Sequence, residues 1–142
     1  MKLHAVTRLL AAVLISVLIS ACAATKPAQH PVVDRAEARW NALISGKLET
    51  AYALYSPGYR SAHSLIDFGV EMRTRRVQWT SAEYLEHDCD ETRCKVKFKL
   101  GFRVRGALPG IDAFDSFQHV EDSWIKTGGQ WWYLPENQGV PL

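Results

Sequence analysis

The chain has no apolar run long enough to cross a membrane: its longest, Leu9 to Ile19, spans about a dozen residues where a spanning helix needs roughly 20. It also lacks a basic excess. There are 17 Lys and Arg against 15 Asp and Glu, and the two surplus positives, Lys2 and Arg8, both precede residue 22. From residue 22 onward, 15 basic residues meet 15 acidic ones, which argues against a general nucleic-acid binder that must neutralise phosphates. No Gly-rich phosphate loop, Gly-x-Ser-x-Gly or His-Glu-x-x-His occurs. No repeat or low-complexity tract is present, and no cofactor or metal is expected. Only three cysteines occur, Cys22, Cys89 and Cys94, and an odd number in an exported chain needs a reason.

Residues 1–22 supply that reason. A positive start, an apolar stretch broken only by Ser16, and small residues Ser20 and Ala21 make up a secretory signal. A plain signal has no need of the cysteine. The run Ile19-Ser20-Ala21-Cys22 resembles the lipobox of bacterial lipoproteins. The resemblance implies that the Cys22 thiol receives a diacylglyceryl group, that cleavage precedes Cys22, and that the new amino group is acylated. Three chains would hold the protein on a membrane where one would not. Ala23, where aspartate would signal inner-membrane retention, implies the outer membrane, facing the periplasm.

Removing residues 1–21 from the 142 leaves 121, enough for one small domain with a single core. Residues 22–32 read as a lipidated tether and 33–142 as the domain. The first helix is expected from Val33 to Ser45, with Val33, Ala36, Trp40, Leu43 and Ile44 as its apolar stripe and Gly46 as its stop. A second takes Leu48, Ala51, Tyr52 and Tyr55 and ends at Pro57-Gly58. A third starts at Ser64, with Leu65, Phe68 and Met72 inward. The pattern then changes to strands. Cys94, Val96, Phe98, Leu100, Phe102 and Val104 alternate with polar residues or glycine over a dozen positions. Arg76 to Cys89 reads as the strand before it, through Val77, Trp79, Tyr84 and Leu85, with a bulge near Ser81-Ala82. Ala113 to Lys126 reads as the strand after it. Thr127-Gly128-Gly129-Gln130 is a hairpin turn, and Trp131 to Leu134 returns.

Helices first and an antiparallel meander second make an α+β fold. With Arg39-Trp40-Asn41-Ala42-Leu43-Ile44-Ser45-Gly46, Ala51-Tyr52-Ala53-Leu54-Tyr55-Ser56-Pro57 and Ser123-Trp124-Ile125-Lys126-Thr127-Gly128-Gly129-Gln130-Trp131-Trp132, residues 33–134 resemble the nuclear transport factor 2-like (SnoaL-like) superfamily. The resemblance implies three N-terminal helices packed on a curved antiparallel sheet, forming a cone around a cavity. Active members of that superfamily keep an acid–base residue inside the cone.

Cys89 and Cys94 bracket four polar residues between two strands, which favours a disulfide over a metal site built on His87, Cys89 and Cys94. The metal reading lacks a second pair at ligand spacing, and a redox role lacks Cys-x-x-Cys. Lys95, Lys97, Lys99, Arg103 and Arg105 form a basic row. It attracts an anionic partner, or it is a wet face neutralised by Glu83, Glu86, Asp115 or Glu121. The second reading is favoured. Trp40, Tyr52, Trp79, His119, Asp122 and Trp124 are the candidate pocket residues, set against plain core filling. The candidate acid–base residues are His63, His119, Glu121 and Asp122. One phase of the third strand buries Val120, Asp122 and Trp124, and the other buries Phe117, His119 and Ile125.

Three functions fit these observations. The first is a non-catalytic, lipid-anchored envelope protein binding a protein partner or a small apolar ligand. The second is an enzyme of the SnoaL or ketosteroid-isomerase type with an acidic general base. The third is a structural subunit of an envelope complex.

Overall fold

A computed structural model describes residues 29–108 and 110–136. Four helices come first: α1 (Pro31–Ile44), α2 (Leu48–Tyr52), α3 (Pro57–Ala62) and α4 (Leu65–Thr74). Four strands follow: β1 (Val77–Cys89), β2 (Arg93–Leu108), β3 (Ile111–Thr127) and β4 (Gln130–Leu134). The strands pair antiparallel in chain order, so the sheet is a simple meander. The class is α+β, as the element order implies, but with four described helices instead of three.

The extra helix is α3. Pro57 sits at the first helical position, where a missing N–H costs nothing, and the Ser56 hydroxyl accepts from the Tyr59 amide at 3.2 Å. A Pro-Gly pair that reads as a stop is therefore a start. The second helix ends at Tyr52, three residues short of Tyr55, which instead bridges to Tyr133 in β4.

Helix α1 begins at Pro31, two residues before the expected helix start at Val33. His30 is its N-cap, accepting from the Val32 amide at 3.4 Å. Its C-terminus is a Schellman motif. Gly46, at φ 69°, donates to Leu43, and Lys47 donates to Ala42 at 2.8 Å.

The helices cover one face of the sheet. Val32, Val33, Ala36, Trp40 and Leu43 of α1 meet Val96, Phe98 and Leu100 of β2, Trp124 of β3, and Trp131 and Tyr133 of β4 in one buried cluster. The β2 alternation holds, with Cys94, Val96, Phe98 and Leu100 all buried. In β1 the register shifts between Trp79 and Ser81 and again between Tyr84 and Glu86. The second shift turns Leu85 out to solvent instead of in. In α4, Phe68 is buried and Met72 half-buried, while Leu65 is 38% exposed. The Gly128-Gly129 turn has both residues at positive φ (61° and 76°), as a tight right-twisted hairpin requires. No described helix is long and apolar enough to cross a membrane.

Candidate functional site

The one buried acid among the described residues is Asp122, and it lies on the phase of β3 that also buries Trp124. Its Oδ2 accepts from Arg39 Nη1 at 2.9 Å, and each side chain is only 4% exposed. Aromatic rings close around the guanidinium. Its Cζ stands 3.5 Å from the Tyr133 ring centroid, 4.5 Å from Trp40 and 5.3 Å from Tyr55. Arg39 Nη2 also reaches the Tyr55 hydroxyl at 3.4 Å.

This surround decides the charge states. Burial pulls the Arg39 pKa down, but Asp122, with Tyr55 and Tyr133, outweighs it and the net direction is up, so Arg39 stays charged. Burial pushes the Asp122 carboxyl up, opposed by Arg39 and by the nearby Trp40 indole N–H, which stops short of hydrogen-bond geometry. The Tyr133 phenol is pushed up mainly by burial, so it is neutral and serves as a ring over Arg39.

A general base needs a free lone pair and a path for substrate. Asp122 is 3% exposed and its Oδ2 is held by Arg39, which leaves little path for a substrate to reach it. A cleft of about 480 Å³ is lined by Cys89, Arg93, Cys94, Ser123, Trp124 and Glu136 among others, and so takes in Trp124 of the expected pocket residues but not Asp122. A smaller one near Glu86 and Lys97 also misses Asp122.

The other expected residues scatter. Trp40 and Trp79 pack edge to face at 5.3 Å, and Trp40 also meets Phe98 at 6.4 Å. Trp124 is buried against Tyr133 at 5.7 Å. Tyr52 packs on Phe68 at the edge of the same core and donates to the His63 carbonyl at 2.7 Å. His119 is exposed beside Phe117, so it does not join Asp122. Glu121 faces outward and pairs with Lys95 at 2.6 Å, and His63 stacks on Tyr59 at the surface. The basic row is neutralised along most of its length. Lys97 meets Glu86 at 2.7 Å, and Arg103 grips both oxygens of Asp115. Exposed pairs of this kind add little stability.

Cys89 and Cys94 are bonded to each other, with Cα atoms 4.0 Å apart. Cys22 lies outside the described residues. The residues that sequence reasoning missed are Arg39, Tyr55 and Tyr133 around Asp122, and His30 beside the disulfide.

No family model and no curated protein matches the chain. Solved structures do. A SEC-C motif containing protein from Rhodopseudomonas palustris is similar at TM-score 0.52 and 17% identity, over 67% of this chain and 68% of that one. At that identity the likeness concerns the fold alone. A candidate dehydratase of the NTF2-like family from Streptomyces avermitilis aligns at TM-score 0.49 and 12% identity, over 72% of this chain and 88% of that one.

Proposed function

We propose that this is a lipid-anchored protein of the bacterial envelope, held at the outer membrane through Cys22, whose nuclear transport factor 2-like domain acts by binding a protein partner and not by turnover. The observation that carries the reading is the Arg39–Asp122 pair. In a catalytic cone the buried acid faces an open cavity; here it is paired with an internal cation whose guanidinium is ringed by Trp40, Tyr55 and Tyr133. A packed interior also favours a protein partner over a small apolar ligand inside the domain. The anchor rests on the signal in residues 1–22.

The decisive variant removes the ion pair and keeps the packing. Replacing a buried pair by apolar residues of similar volume is often neutral or stabilising, by about 1–4 kcal/mol. Arg39→Met with Asp122→Leu should therefore stay folded. Introduced into a strain deleted for the gene, it should restore the envelope phenotype fully. A folded but inactive double variant would hand the function to the acid, and the enzyme reading would replace this one.

A further inference from the structure

Two histidines and two cysteines gather at one end of the sheet. Cys89 and Cys94 oppose each other across the β1–β2 hairpin. His87, two residues before Cys89, pairs with the buried Val96, so it shares the helix-facing side of β1 with Cys89. His30 arrives from far away in the chain, at the start of α1. One of its ring nitrogens and both sulfurs lie within 4.8 Å of one another. The His30 and His87 ring centroids are 5.4 Å apart, and Trp131 closes the far side of His30 at 5.7 Å. The sequence alone offered three of these four groups, and the fourth comes from the segment read as tether.

We propose that reduction of the Cys89–Cys94 disulfide turns this cluster into a tetrahedral zinc site, with Cys89, Cys94, His30 and His87 as its ligands. Structural zinc takes this donor set, with Zn–S about 2.3 Å and Zn–N about 2.0–2.1 Å. Such bonds place neighbouring ligand atoms roughly 3.3–3.8 Å apart in a tetrahedron. His30 Nδ1 already lies 4.0 Å from Cys89 Sγ, so separation of the two sulfurs on reduction and a turn of the His87 ring would complete the tetrahedron. The Tyr84 hydroxyl meets His87 Nδ1 at 2.7 Å, which leaves Nε2 for the metal and holds the ring from outside, as partners of zinc-bound imidazoles do. His30 suits the role as well. Its Nδ1 faces Cys89 Sγ at 4.0 Å, and zinc would take the lone pair that now accepts from the Val32 amide.

The chemistry balances with a dithiol reductant. The reductant supplies two electrons and two protons, the Cys89–Cys94 S–S bond breaks, two thiols form, and the reductant leaves as its own disulfide. Zinc then displaces both thiol protons to solvent. The 480 Å³ cleft is lined by both cysteines and gives a reductant its approach. The two states differ in what they hold. The disulfide ties β1 to β2, whereas the metal adds the start of α1. In an oxidising compartment the pair remains closed and zinc is excluded, so the site reports thiol redox state.

The test uses the full chain carrying Cys22→Ser, so that only two thiols remain, with Co2+ as the probe. The reduced protein should bind one equivalent, with the visible bands of tetrahedral cobalt and a thiolate charge-transfer band, both lost on adding zinc. The oxidised protein should give no such spectrum. His30→Ala and His87→Ala should each weaken binding at least about tenfold, with an unchanged circular-dichroism spectrum. His63→Ala, remote from the cluster, should bind like the parent. A reduced protein without the cobalt bands overturns the proposal, and so does a His30→Ala, His87→Ala double variant that binds as tightly as the parent.

Discussion

Arg39 and Asp122, 83 residues apart in the chain, meet at 2.9 Å in the interior and tie the first helix to the third strand. The pair stands where two apolar groups would otherwise pack. Its worth is therefore asymmetric: losing one partner strands a charge, while losing both together does not.

Asp122→Leu should destabilise the fold by about 3–5 kcal/mol, and Arg39→Met by a similar amount. The Arg39→Met, Asp122→Leu double variant should recover most of that loss. Urea denaturation of the four proteins measures the cycle. Additive losses would mean that the two groups do not depend on each other.

Gly101 packs against the bulge in β1. A Cβ there would stand 3.0 Å from the Thr80 hydroxyl and closer still to that of Ser81. Gly101→Ala should cost about 1–3 kcal/mol through this crowding. The Gly101→Ala, Ser81→Ala pair should regain part of it, and thermal melts of both show whether it does.

His30 should titrate below its ordinary 6.5, since burial first, then His87 and Lys126, disfavour its cation. It also caps a helix N-terminus, where positive charge is unwelcome. A base with a lowered folded pKa contributes stability that is complete above its unfolded value. That stability is lost as pH falls through the folded one. NMR titration of the His30 ring checks this, and a value at or above 6.5 contradicts it.

Cys22→Ser should abolish acylation and leave an unprocessed or soluble protein. Metabolic labelling with palmitate is the measurement, and unchanged labelling would remove the anchor from the reading.

The sheet was legible because its pattern is local. Alternation from Cys94 to Val104 states which face of β2 is inside, and paired glycines at 128 and 129 state where β3 turns. What escaped was whatever depends on distant partners. Arg39 lies on the apolar stripe of α1: Val32, Ala36, Arg39 and Leu43 follow spacings of four, three and four. A cation on that stripe needs a buried anion, and the inward phase of β3 offers Asp122. Each half of this signal was present, but neither identifies the other without the fold. Pro57-Gly58 misled for a different reason, because proline ends one helix and opens another with the same geometry. His30 sits in a segment with no apolar period, so nothing local placed it beside the cysteines.

The bridge from Tyr55 to Tyr133 has an effect on self-association. The Tyr133 amide donates to Leu54 at 2.9 Å, and its carbonyl accepts from Ser56 at 2.8 Å, so the outer rim of β4 is capped at Tyr133 by the chain itself. The opposite rim, β1, is interrupted twice by register shifts and carries Glu83, Glu86 and Asp88. Among the described residues both rims are thus interrupted, which works against the strand addition that leads to fibril growth. At high concentration such domains would resist zipping together edge to edge, and any contact between them would fall to side chains.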